Sequence, residues 1–148
     1  MDKTEARIRL AIDAMGSDLG PSEVLEGVAQ AIDRSPWNTE FVLFGQEEII
    51  EPLITSHSIL SRSKVEFVHS PEVVGMEEKP IAGIKGKKKS SMSLALQALK
   101  EGEADALLSC GNTGCLMAGG AIKLRTLDGV ERPALCTIWP GRERYFTL

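Results

Sequence analysis

Residues 104–124 constrain the fold of this chain more than any other stretch. Ala106, Leu107 and Leu108 make a short apolar run that closes on Ser109 and Cys110. It breaks into Gly111-Asn112-Thr113-Gly114 and resumes as an apolar run through Leu124. A buried strand that turns through glycines into a helix builds an anion site readily. The glycines let the backbone approach a ligand, and the first N–H groups of the helix point at it. The helix start also carries partial positive charge, which favours phosphate or carboxylate. On this reading Gly111, Asn112, Thr113 and Gly114 are the donors. A plainer reading makes the stretch a strand-to-helix connection, with Thr113 as N-cap and Gly111 for the turn. Both stay open at this point.

The rest of the chain repeats the same alternation. Ile8, Leu10 and Ile12 fall on one face of a first strand, which ends in the turn-rich Asp13-Ala-Met-Gly16-Ser17-Asp18. Pro21 opens an amphipathic helix with Val24, Leu25, Val28, Ala29 and Ile32 on one side. Residues 41–44 and 65–68 read as further strands. Between them residues 47–54 look helical, with Pro52 implying a kink or a late start. Residues 71–89 lose periodicity and carry the basic run Lys85-Gly-Lys87-Lys88-Lys89. They read as a long loop with one short helix around residues 81–84. Ser90 and Ser91 offer an N-cap to a helix carrying Met92, Ala95, Leu96 and Leu99. The helix from Leu116 to Leu124 is apolar nearly all round and is expected to be buried. Residues 134–138 read as another strand and residues 145–148 as the start of one more.

Near-continuously apolar strands alternating with helices imply an α/β fold, a mostly parallel sheet with helices on both faces. Ligands of such sheets bind beyond the carboxyl ends of the strands. Three loops leave strands there, and they carry Asp13 and Asp18, the lysines and serines of residues 85–91, and the glycine turn.

The chain has 148 residues, 43% of them hydrophobic and 26% charged, an ordinary composition for one globular domain. The net charge of −4 gives no reason to expect nucleic-acid binding. Cys110, Cys115 and Cys136 match no zinc spacing and read as reduced core thiols. His57 and His69 have no evident partner. No metal cluster or cofactor motif is visible. The amino-terminal residues contain no signal core and no segment reaches the length of a membrane span, so the expected location is the cytoplasm.

Four motifs together resemble a known family. They are Asp13-Ala-Met-Gly-Ser-Asp18, Lys87-Lys-Lys-Ser-Ser-Met92, Ser109-Cys-Gly-Asn-Thr-Gly-Cys-Leu116 and Gly129-Val-Glu-Arg-Pro-Ala-Leu135. Their order and spacing are similar to those of the bacterial phosphate acyltransferase of phospholipid synthesis, the PlsX family. That family converts acyl-(acyl carrier protein) and inorganic phosphate into acyl phosphate. The resemblance covers nearly the whole chain. It implies a Rossmann-like fold of the isocitrate/isopropylmalate dehydrogenase type, incomplete at the carboxyl end. Residues 1–148 are then the amino-terminal part of a single domain. The missing part, by the same resemblance, supplies further catalytic and homodimer residues and a membrane-associating helix. The family usually has glycine where Ser17 stands, so a turn there is strained if that residue needs positive φ.

Acyl transfer to phosphate needs a held nucleophile, donors for the oxyanion, and no covalent intermediate or metal. On this basis Gly111, Asn112, Thr113, Gly114, Ser90, Ser91 and Lys88 are the expected phosphate and substrate binders. Lys85 and Lys87 are the expected docking residues for acyl carrier protein. Asp13, Gly16 and Asp18 are expected to brace their loop. No catalytic residue can be assigned. Two alternatives remain: a non-catalytic anion-binding fragment, and a phosphotransacetylase-like enzyme acting on acyl-coenzyme A.

Overall fold

The computed structural model describes residues 7–34, 38–63, 65–141 and 144–147. Leu148, the end of the strand expected at residues 145–148, lies outside them. The elements follow in the order β1 (Ile8–Asp13), α1 (Pro21–Arg34), β2 (Thr39–Gly45), α2 (Glu47–Ser56), α3 (Ser58–Arg62) and β3 (Val65–His69). Then come α4 (Pro80–Gly86), α5 (Ser91–Glu101), β4 (Ala106–Ser109), α6 (Thr113–Lys123), β5 (Ile138–Pro140) and β6 (Tyr145–Thr147).

Strands β1 to β4 form one sheet in the order β3-β2-β1-β4, and every pairing is parallel. Side-chain alternation divides its two faces. Ile12, Phe41 and Leu43 pack with Leu25, Val28 and Ala29 of α1, Ile50 of α2 and Leu60 of α3. Ala11, Val42 and Phe44 point the other way, against Ala95 and Ala98 of α5. Helices therefore cover both faces, as the apolar runs predict. Burying a side chain such as Leu43 contributes about 1.5–3 kcal/mol. A third cluster joins Ile84 of α4, Met92 and Leu96 of α5, and Cys115 of α6.

The sheet changes direction at β1. The chain steps outward through β2 and β3, then returns to lay β4 on the other side of β1. The carboxyl ends of β1 and β4 meet there, with Asp13 opposite Ser109. This is the place where open α/β sheets bind ligands.

Four local readings change. Helix α2 runs through Pro52 to Ser56. Glu48, whose carbonyl loses its helical partner to the proline, is exposed, so water can satisfy it. A further short helix, α3, follows with His57 as its N-cap, accepting from the Ile59 N–H. Helix α6 buries only Cys115 and Gly119 fully, while Ile122 and the adjoining Leu124 are exposed. It packs against α4 and α5. Beyond it residues 124–138 are exposed throughout, and β5 pairs antiparallel with β6 outside the main sheet. The strand expected at residues 134–138 is not formed there: residues 134–137 carry no strand, and β5 occupies Ile138–Pro140.

Candidate anion site at the β1–β4 switch

The switch is built on a buried hydroxyl–carboxylate pair. Asp13 is 1% exposed, and its Oδ2 accepts the Ser109 hydroxyl at 2.7 Å. Its Oδ1 accepts the Met15 N–H at 3.3 Å. Ser109 Oγ in turn accepts the Gly111 N–H at 3.1 Å. Two glycines close over the pair. A Cβ at Gly16 would lie 2.4 Å from Asp13 Oδ2 and 3.0 Å from Ser109 Oγ. A Cβ at Gly111 would lie 3.0 Å from the Gly16 Cα. Neither glycine has positive φ, so close approach of two loops is what requires them. Ser17 has no positive φ either, and the turn is unstrained despite its side chain. Asp13 and Gly16 therefore hold their loop to β4. Asp18 is exposed and makes no hydrogen bond among the described residues. Ser17 does the bracing, its Oγ accepting the Leu19 N–H at 3.2 Å and its carbonyl the Gly20 N–H at 3.1 Å.

Helix α6 starts directly after this turn. Its N-cap is Asn112, not Thr113: Asn112 Oδ1 accepts the Cys115 N–H at 3.0 Å. The same side chain donates from Nδ2 to the carbonyls of Gly75, Met76 and Glu78 at 3.2, 2.8 and 3.0 Å. Asn112 is 8% exposed and fully engaged with protein groups. The backbone N–H groups of Thr113 and Gly114 have no partner among the described residues, and Thr113 is exposed. No carboxylate occupies the first turn of α6. Gly114 admits Pro80 of α4, since a Cβ there would lie 2.8 Å from the proline Cγ. The result is a helix start with two unpaired donors at the switch point.

The loop that Asn112 holds is tied by Glu78. Its Oε1 accepts the Gly75 N–H at 2.8 Å and forms an ion pair with Lys87, which also donates to the Val73 carbonyl at 2.7 Å. The Lys87 hydrogen bond, then the Gly75 N–H, lower the Glu78 pKa. Lys87 is thus an internal strut, whereas Lys85, Lys88 and Lys89 are exposed and carry no ion pair among the described residues. No hydrogen bond joins Lys85 or Lys88 to the glycine turn there. Ser90 caps α5, accepting the Ser93 N–H at 3.2 Å and donating to the Lys87 carbonyl at 2.9 Å. The Ser91 N–H donates to the Glu72 carbonyl at 3.2 Å. Both serines are buried.

Of the cysteines only Cys115 is buried; Cys110 and Cys136 are exposed, because the segments that carry them do not enter a core. Burial, and secondly the Glu78 charge, push the Cys115 thiol pKa up. Both histidines have partners. His57 Nδ1 accepts the Ile59 N–H, which leaves Nε2 to donate to Glu26 at 3.2 Å. His69 Nδ1 accepts the Glu47 N–H at 3.2 Å. Among the described residues no three His, Cys, Asp or Glu side chains group as metal ligands, and no helix is long and apolar enough to cross a membrane.

A family model described as "Fatty acid synthesis protein" matches residues 8–148. The chain belongs to this family. Its relatives include proteins named phosphate acyltransferase. That of Azorhizobium caulinodans is 48% identical over 136 residues, 91% of this chain. One from Rhodopseudomonas palustris is 46% identical over 136 residues, 90% of this chain. That of Levilactobacillus brevis is 39% identical over 137 residues, 93% of this chain. The chain spans 38% of the length of each of these curated relatives.

The family match covers both loops of the switch and the start of α6. Two residues with clear structural roles there, Ser109 and Glu78, receive none from sequence reasoning. Ser109 had a usable signal, a single hydroxyl closing an apolar strand. Glu78 had none, as one of two adjacent glutamates in a loop without periodicity.

Proposed function

We propose that this chain carries the phosphate-binding part of an acyl-(acyl carrier protein):phosphate acyltransferase of fatty acid and phospholipid synthesis. The observation that carries the reading is the pair of unpaired N–H groups, Thr113 and Gly114, at the switch point of a chain in this family. Phosphate held there meets two backbone donors and the positive end of α6. Holding the nucleophile in place is the main demand of this reaction, because phosphate attacks the thioester directly and the carrier thiol leaves. Gly111 and Gly114 serve by letting loops and α4 close around the helix start, and Asn112 by fixing its direction. Ser90 and Ser91 would reach a ligand only by leaving their buried positions. The exposed lysines Lys85, Lys88 and Lys89 form the docking charge for an acidic carrier protein, and Lys87 holds their loop. The complete enzyme acts as a cytoplasmic homodimer, associated with the membrane peripherally. By itself this chain is expected to bind phosphate without turning over.

Titration of the isotopically labelled chain with inorganic phosphate tests the reading. The amide resonances of Thr113 and Gly114 should move most, with sulfate competing. Shifts confined to lysine side chains would place the anion elsewhere and overturn it.

A further inference from the structure

We propose that Ser109 and Asp13 are positioning residues for this anion site, acting as a directional relay that aims the start of α6. The inference rests on the phosphate reading and deepens it. Asp13 lies 1% exposed with no cation beside it among the described residues. A buried carboxylate is a poor choice for stability alone, since apolar substitutes of similar volume often serve as well or better. Its chemistry explains its use. The Ser109 hydroxyl donates to Asp13 Oδ2 at 2.7 Å. That fixes the Ser109 lone pairs toward the Gly111 N–H, 3.1 Å away. A Cβ at Gly16 would lie 2.4 Å from Asp13 Oδ2, so only glycine lets this loop close over the pair. Gly111 is followed by Asn112, the N-cap, and then by the unpaired donors of Thr113 and Gly114. The relay therefore sets where those two N–H groups point.

An asparagine at residue 13 would keep an acceptor for the hydroxyl but add a donor. That donor could take the Ser109 oxygen and turn its lone pairs off Gly111. The relay thus separates two near-isosteric side chains by direction of donation.

The test uses the labelled chain, inorganic phosphate as probe, and the variants Ser109→Ala, Ser109→Thr and Asp13→Asn. In Ser109→Ala the Gly111 amide should exchange with solvent about tenfold faster, and phosphate affinity read at Thr113 and Gly114 should fall about tenfold. The amides of Leu43 and Ile50 in the core should keep their exchange rates. Ser109→Thr, which restores the hydroxyl, should recover both the Gly111 protection and the affinity. Asp13→Asn, nearly isosteric, should lose Gly111 protection and affinity together, and it serves if Ser109→Ala disturbs the core. Faster Gly111 exchange with unchanged phosphate affinity would reduce the pair to loop bracing and overturn the inference. So would a loss in Ser109→Ala that threonine fails to restore. A wild-type chain whose Thr113 and Gly114 amides ignore phosphate overturns the phosphate reading itself, and the relay's role with it.

Discussion

Helices α5 and α6 are each eleven residues long and each has a side-chain N-cap, Ser90 in one and Asn112 in the other. Their starts are otherwise opposite. At α5 the residues Ser90 to Ser93 are at most 1% exposed, and the Ser91 N–H is held by the Glu72 carbonyl. At α6 Thr113 is exposed, and its N–H and that of Gly114 have no partner among the described residues. Both sequences offer hydroxyls or amides at a helix start, and by composition the serine pair is the richer in donors. What separates them is where the chain goes next. At α5 the Glu72 carbonyl and the Ser90 hydroxyl take up the amides of Ser91 and Ser93. The turn at residues 109–112 is drawn down onto β1 by Asp13, and Pro80 packs beside Gly114, which leaves Thr113 exposed at the start of α6. A helix start becomes a ligand site through what fails to cover it, as much as through its own residues.

The largest effect should come from breaking the device that keeps α6 open and its neighbouring loop in place. Asn112→Asp retains the cap acceptor for Cys115 but turns a donor toward three carbonyls into a second acceptor. Leaving those carbonyls unpaired against a carboxylate should cost about 2–4 kcal/mol in urea denaturation, more than loss of an N-cap alone. Asn112→Ala should fall below Asn112→Asp in cost if electrostatic repulsion dominates. Equal stability of Asn112→Asp and wild type would mean that the three loop contacts carry no weight in solution.

Much of this was legible beforehand, and the reasons differ by element. The parallel core was written in near-continuously apolar runs, since Ile12, Leu43 and Ala11, Val42 must face helices on opposite sides of the sheet. The meeting of the β1 and β4 loops was legible too, because glycines cluster where two loops touch, as Gly16 and Gly111 do. The roles of individual side chains were not. Asn112 reads as a ligand donor until its partners, 34 to 37 residues away in sequence, are known. Lys87 reads as a free charge until Glu78 is placed beside it. Both are long-range pairings inside an aperiodic loop, and local sequence carries no signal for them. The arm beyond residue 124 misled for a related reason: apolar residues such as Leu127, Leu135 and Ile138 imply burial, and here they are exposed.

A smaller effect should follow from uncapping the closed helix. Ser90→Ala removes the acceptor for the Ser93 N–H and should cost about 1 kcal/mol. The comparison gives the sharper expectation: phosphate shifts at Thr113 and Gly114 should be unchanged in this variant, because α5 offers the ligand nothing. A loss of phosphate response in a folded Ser90→Ala chain would show that the α5 start takes part after all, and that its closure is not maintained in solution.

The smallest effect separates the two helix starts by pH. The loop clamped by Asn112 depends on an ionised Glu78, whereas the Ser90 cap is neutral. The folded-state pKa of Glu78 lies below its unfolded value, so its ionised contacts stabilise the protein above the ordinary glutamate range, about 4.3. That contribution is lost as pH falls below that range and through the folded value. Glu78 is partly exposed, so solvent screening keeps the effect small. Hydrogen exchange at the Gly75 amide reads it locally. Compared with Glu78→Gln at the same pH, the wild-type Gly75 amide should be better protected near neutrality, and its advantage should shrink as pH falls below the ordinary glutamate range and vanish once Glu78 is protonated. The Ser93 amide at the start of α5 should show no such difference between the two chains. If wild type and Glu78→Gln protect Gly75 equally at neutral pH, the Lys87 ion pair does not order this loop. If Ser93 follows Gly75 as the acid loss proceeds, the two helix starts open as one unit and the distinction between them fails.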